Sequence, residues 1–427
     1  VAKSVSAYDM AISSAIYGAS KRFVSRERLQ QMLRHELDQL VESLSEKRKS
    51  ETRLFAFANT VATQSFHPRD ECDGWMGLRF QNEIGGPPSE VLVHVRMHDP
   101  EAVQQQEALG IIGVNFVDAT LNWTGDVRQF LEQLAGQVAG SRIEVDMIQL
   151  DGPAFSKVDN RHASLLLVEL GLAQSAMFLV DGTIVQASEI LYAKRVLVDR
   201  GTFRPPTLAN EDRLACAKMH FGEETGGDKG DLVVVTEMTL VQIGEPGLVD
   251  ADDFLARVDL LRSLGHAVLI SNVPQYHRLA AFLGRYTKKA VGLVLGLGEF
   301  RRMLHEEAHP DLSGGLLESV GRLFRNDLRI FVFPEWNPET GQPMALADLH
   351  FEGESIHLFR YLMEKGRVRD ITGYRPESLQ IYARDVLRQL RSGSQDWELQ
   401  VPPCVAEMIR KRKLLGYTPP AIGSPHS

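Results

Sequence analysis

Ser271 and Asn272 lie where an aliphatic run, Ala267–Ser271, gives way to a helical pattern starting at Gln275. A hydroxyl and an amide there can join the free N–H groups of a helix start in cradling a phosphate, or simply cap the helix. The same helix carries Tyr276, His277 and Arg278, and a compact basic cluster from Arg285 to Lys289 closes it. Arg278 and Lys288 could supply charge to an anion; the plain alternative for Lys288 is a solvated helix end, where cations oppose the dipole. One run earlier, Leu232–Thr236 leads into Glu237 and Thr239. Ligands of open parallel sheets sit outside the carboxyl ends of the strands. By that rule Thr236, Glu237, Thr239, Ser271, Asn272, Arg278 and Lys288 make up one candidate anion site. A second group is basic: Arg161 at a helix start after the Gly152-Pro153 turn, with Arg200 and Arg204 in a loop around Gly201-Thr202-Phe203. Planar guanidinium groups suit carboxylates and phosphates.

Spacing disfavours several other chemistries. Gly296-x-Gly298 lacks the third glycine of a dinucleotide fingerprint, because that position is Arg301. His305 and His309 stand at i and i+4, but the glutamates sit beside the first histidine and Pro310 ends the helix, so no metal site is expected. There is no G-x-S-x-G elbow, P-loop, kinase set or paired-carboxylate motif. Cys72, Cys216 and Cys404 are far apart and lack ligand spacing, which speaks for reduced thiols in a cytosolic compartment. The sequence names no cofactor.

Two patterns of elements must position these residues. Strand-like runs at Arg53–Ala62, Trp75–Gln81, Glu90–Met97 and Arg142–Leu150, with helical stretches at Glu101–Phe116 and Asp126–Val138, predict an α+β domain over 51–152. After a connecting α/β segment at 153–224, aliphatic strands at 232–236, 267–271, 291–295 and 329–333 alternate with helices. That pattern predicts a Rossmann-like three-layer domain with a parallel sheet over 225–340. Helical extensions flank both: 341–427, and residues 1–50, where Leu29, Leu33, Leu37, Leu40 and Leu44 form an apolar stripe. The stripe fits either a helix packed on its own domain or an oligomer seam.

At 427 residues, 44% hydrophobic and 24% charged, the chain has ample core for two or three globular domains. A net charge of −9 argues against nucleic acid or an anionic membrane as the main partner. The most apolar segment, Ser164 to Val180, is interrupted by Glu169 and Gln174 and is too short to span a bilayer; Lys3 and Asp9 break any signal-peptide core near the start.

The stretches LFAFANTVAT, ECDGWMGLRF, DNRHASLLLVELGL, DDFLARVDLLRSLGHAVLISN and GGLLESVGRLFRNDLRIFVFP resemble a little-characterised bacterial family often labelled nicotinate- or nicotinamide-nucleotide adenylyltransferase. The resemblance implies an H-x-G-H element after the first strand and a later I-S-x-x-x-x-R element. Gly265-His266 follows Ser263 rather than a histidine, and Arg278 comes two positions late after Ile270-Ser271. A local layout, VVVTEMTL then LRSLGHAVLISN then Lys288 or Lys289, is similar to haloacid-dehalogenase-like phosphatases, with Thr236 and Met238 in place of the two aspartates. Together these readings imply a cytoplasmic enzyme handling a nucleotide or other phosphorylated small molecule, with nucleotidyl transfer as the reaction the label implies. The alternatives are a non-catalytic ligand-binding module on a degenerate phosphatase-like fold and a homo-oligomeric assembly protein.

Overall fold

The structure, a computed structural model, describes residues 10–48, 52–64, 72–240, 250–351, 353 and 355–420. Part of the reading of the chain start, residues 1–9, therefore lies outside the described residues. The chain divides into two compact units, 1–176 and 177–427.

In the first unit, helices α1 (Met10–Tyr17) and α2 (Arg26–Arg48) precede strands β1 (Phe55–Val61), β2 (Asp73–Gln81) and β3 (Pro88–Met97). Helices α3 (Ala102–Leu121) and α4 (Val127–Ala135), strand β4 (Ile143–Asp151) and helix α5 (Asn160–Glu169) follow. The four strands form an antiparallel meander in chain order. Strand alternation assigns the two faces. Gly77 and Leu92 receive the leucines of α2 on one face, and Met76 and Phe57 meet α3 at Gly113 on the other. Leu29, Leu33 and Leu37 are buried there and Leu40 and Leu44 half-buried, so the stripe packs on its own domain. Asp126 and Asp159 cap α4 and α5 by accepting from first-turn N–H groups.

The second unit holds an eight-stranded sheet. Its elements begin with β5 (Ser175–Phe178), β6 (Ile184–Val185), α6 (Ala187–Leu191), β7 (Arg195–Arg200), α7 (Leu208–Thr225), β8 (Leu232–Thr239), α8 (Ala251–Ser263), β9 (Ala267–Ser271) and α9 (Tyr276–Tyr286). They continue with β10 (Val291–Gly296), α10 (Leu297–Met303), α11 (Gly315–Leu323), β11 (Leu328–Phe333), the small hairpin β12 (Glu335–Asn337) and β13 (Gln342–Met344), α12 (Ser355–Glu364) and β14 (Val368–Asp370). Helices α13 (Ala383–Ser392) and α14 (Pro403–Arg412) close the chain. The predicted strands at 232, 267, 291 and 329 all run parallel within one sheet, as a Rossmann-like α/β domain requires.

One central strand escapes the sequence pattern. β7 pairs with both β8 and β10, yet only Val196-Leu197-Val198 is aliphatic; Arg195, Asp199 and Arg200 flank it and are nevertheless buried. Charged ends disguised a core strand as loop, so Arg200 belongs to a strand end rather than to a loop. Helices α9, α11 and α12 cover one face of the sheet, where Val196, Val198, Leu293 and Ile330 point. Helix α7 covers the other, over Leu197, Val294 and Phe331. The last helices pack on α8 around the fully buried Trp397, so their apolar faces are occupied within the chain.

Candidate functional site

Strand order decides where a ligand can sit. Across the sheet the order is β14-β11-β10-β7-β8-β9, all parallel, before β5 and β6 complete the edge. The chain winds outward from β7 through β8 to β9, crosses back on α9 to β10, and winds the other way through β11 to β14. The direction reverses between β7 and β10, and such a reversal opens a crevice at the carboxyl ends of the two strands. β8, which a phosphatase-like layout would make the first strand, lies one position away from the reversal.

The residues at the crevice are small. Gly201 follows β7, and Gly296 and Gly298 stand where β10 passes into α10. A side-chain carbon added at Gly296 would meet nothing within 4 Å, and one at Gly298 would meet only Glu335 Oε2, at 3.5 Å. A ligand could therefore approach the backbone here. Helix α7 begins on the same edge, with Thr207 as its N-cap in a capping box with Asn210, and the positive end of its dipole favours an anion.

A closed buried network stands next to this opening. Arg200 donates to both Glu237 oxygens, at 2.5 and 3.1 Å, and to the carbonyls of Val273 and Pro274, each at 2.7 Å. Ser271 donates its hydroxyl to Glu237 Oε1 at 2.6 Å and accepts from the Val273 N–H at 3.2 Å. The Tyr276 ring lies 4.8 Å from the Arg200 guanidinium, and its hydroxyl donates to Glu299 at 3.3 Å. Burial pushes the Tyr276 phenol well above its ordinary pKa and keeps it a donor. In this arrangement Arg200, Glu237 and Ser271 hold one another and the loop leading into α9. The sequence nominated all three as ligand groups; in this fold their polar atoms are engaged with one another and with the loop.

The remaining nominated residues disperse. β8 extends to Thr239, so Thr236 lies inside the sheet, buried, donating to the Ala267 carbonyl at 3.1 Å. Thr239 sits opposite Ser271 at the strand ends, and Asn272 is half-buried just beyond. Arg278 is exposed on the first turn of α9. Lys288 lies past the other end of that helix and donates to the Gly284 carbonyl at 2.9 Å. Eight helical residues, 279–286, lie between the two cations, so at 1.5 Å per residue they stand at opposite ends of the helix, about 12–15 Å apart along the backbone. Arg204 pairs with Asp253 at 2.8 Å, and Arg161, in the first unit, with its own cap Asp159 at 2.7 Å.

Two clusters were not visible in the sequence. Asp199, fully buried near the end of β7, lies 2.7 Å from Arg213 Nη2, yet neither carboxyl oxygen finds an aligned hydrogen-bond donor among the described residues. Burial, only partly offset by Arg213, raises its pKa to about 6. In the first unit, His94 Nδ1 meets Asp146 at 2.6 Å and Nε2 meets Asp73 at 3.0 Å, with Arg96 3.3 Å from Asp146. Burial lowers the imidazole, but the two carboxylates outweigh it and hold it near 9. With both nitrogens engaged and the proton held so firmly, His94 is an ion-pair centre rather than a general base. Only strand register brings the three residues together; alternation along β3 was the sole sequence hint.

These features define the second unit as a Rossmann-like α/β domain whose winding reverses between β7 and β10. No protein-family model matches the chain, and no curated protein matches it. Among solved structures, the chain is similar to Plasmodium falciparum nicotinic acid mononucleotide adenylyltransferase complexed with APC, at 12% identity and a TM-score of 0.33, over 53% of this chain and 98% of that one. Similarity at that level leaves function to be read from this chain's own geometry. Among the described residues no helix is long and apolar enough to cross a membrane.

Proposed function

We propose that the chain binds a nucleotide or other phosphorylated metabolite in the crevice between β7 and β10, and that its reaction is nucleotidyl transfer. The observation that carries this reading is the reversal of winding at β7 and β10, lined by glycine where a ligand backbone contact is needed. The resemblance implies an H-x-G-H element after the first strand, and with β7 as that strand the spacing falls on Thr207 and Asn210 rather than on His266. Both residues are neutral and engaged with each other, so they bring no imidazolium to the phosphates. In the proposed transfer a phosphate oxygen of a mononucleotide attacks the α-phosphorus of a nucleoside triphosphate, a P–O bond forms, and pyrophosphate leaves. An ionised phosphate needs no base, so catalysis rests on placing the two substrates in line. Free thiols at Cys72, Cys216 and Cys404 suit the cytosolic setting of such substrates.

Gly296→Leu tests the site. The backbone at 296 is extended, with φ −77° and ψ 156°, and the added carbon points into open space, so folding should be retained. Calorimetric titration with mononucleotides and sugar phosphates should show binding to the wild type and at least about a ten-fold loss in Gly296→Leu, as expected when a filled site excludes a charge-assisted contact. Equal affinity in both proteins would move the site elsewhere. Pyrophosphate release from a mononucleotide, a triphosphate and magnesium tests the reaction separately: binding without release leaves a non-catalytic module.

A further inference from the structure

The opposite edge of the sheet carries a second cleft that the proposed function does not use. Where β11 and β14 begin, and where α7 and α12 end, a depression of about 570 Å³ opens to solvent. That volume is within the range of small-molecule sites. Arg329, Arg367, Arg369 and Lys365 line it, against two carboxylates, Glu224 and Asp327. Four cations against two anions leave a formal surplus of two positive charges in a chain of net charge −9.

The carboxylates organise the cations without consuming them. Glu224 takes Arg329 at 3.1 Å and Arg369 at 2.9 Å, while Asp327 lies 3.5 Å from Arg329 and 3.6 Å from Arg367. The Arg369 side chain remains 57% exposed, so part of its fork faces solvent. Tyr361 is 55% exposed, a large aromatic face at the cleft wall, with Lys365 Nζ 5.9 Å from its ring centre. Helix C-termini attract cations on their own account, which explains one or two basic residues here. It explains neither the surplus nor an uncovered aromatic ring in a ligand-sized depression.

We propose that this cleft binds a small polyanion with a flat ring, of the chemical class of a nucleoside di- or triphosphate. The phosphates lie along Arg367, Arg369 and Lys365, and the ring stacks on Tyr361. Guanidinium forks match phosphate oxygens two at a time, and a base on an aromatic face adds sequence-independent stacking. The site is independent of the crevice between β7 and β10.

The test uses the full chain with adenosine triphosphate and inorganic tripolyphosphate as probes, titrated in low salt. Gly296→Leu, which closes the other crevice, should still bind both. In the Gly296→Leu background, where only this cleft remains, Arg367→Ala with Arg369→Ala should weaken both by about ten-fold to a hundred-fold, the worth of lost charge-assisted contacts. Those arginines also pair with Asp327 and Glu224, so Lys365→Glu, at an exposed position, serves as a second variant and should weaken both probes with folding intact. Tyr361→Ala should cost about five-fold or more for adenosine triphosphate and leave tripolyphosphate unchanged. Unchanged tripolyphosphate affinity in the arginine and Lys365 variants would overturn the proposal. So would loss of all tripolyphosphate binding in Gly296→Leu, or a single-stranded RNA that outcompetes the triphosphate through the same residues.

Discussion

Arg200→Ala isolates the support beneath the proposed crevice. Arg200 is buried, and its guanidinium makes four hydrogen bonds, two to Glu237 and one each to the carbonyls of Val273 and Pro274. Truncation leaves the Glu237 carboxylate without its cation in the protein interior and strips two carbonyls of a donor. Breaking a buried pair from one side costs about 3–5 kcal/mol, chiefly through the charge left behind. For a unit of this size each kcal/mol moves Tm by about 2–4 °C, so a drop of roughly 6–20 °C is expected. Urea unfolding followed by circular dichroism gives the free energy, and hydrogen exchange should show the 272–276 backbone opening first. Adding Glu237→Gln to Arg200→Ala removes the stranded charge, so the double variant should be more stable than Arg200→Ala alone. A loss below about 1 kcal/mol, or a double variant worse than the sum of the singles, would refute the view that this network supports the loop.

Three further outcomes are expected. His94, raised to about 9 from an ordinary 6.5, contributes stability that is complete below pH 6.5 and lost as pH rises through 9; Asp146 is pushed up by burial but pulled down further, to about 2, by His94 and Arg96, and its contribution is lost as pH falls through 2. The first unit should therefore weaken from pH 6.5 to 9, and His94→Gln should flatten that limb in pH-dependent urea melts; a flat wild-type curve would contradict it. Asp199 titrates near 6 when folded against 3.8 when exposed, so the folded state holds the proton more tightly and stability falls as pH rises between about 4 and 6. Asp199→Asn should remove that fall, read from urea midpoints across pH 4 to 6. Leu33→Ala should cost about 2–5 kcal/mol by opening a cavity under α2 where Leu33 meets Gly77, measured by urea unfolding of the full chain.

The chain's linear pattern was enough for the elements that announce themselves by periodicity. Alternating Val91, Val93 and Val95 marked β3, the leucine spacing marked α2, and continuous aliphatic runs marked β8, β9, β10 and β11. These signals are local, because a strand or helix face must be apolar wherever it is buried. β7 gave no such signal. Its burial of Arg195, Asp199 and Arg200 is tolerable only because Asp231, Arg213 and Glu237 arrive from other elements to face them.

The site followed the same division. Composition and spacing found Glu237, Ser271 and Arg200 as residues with chemistry to offer; the carboxyl-end rule placed Glu237 and Ser271 at strand ends, while Arg200 was read into a loop. Which partners they meet was decided by strand order. With β7 between β8 and β10, Arg200 is drawn inward onto Glu237, the winding reverses beside Gly296, and Lys288 is carried to the far end of α9. Periodicity reports which face of an element is buried, whereas adjacency between strands far apart in sequence is settled by packing. That is why the residues were legible from the sequence, while their partners and the reversal of winding between β7 and β10 belonged to the tertiary structure alone.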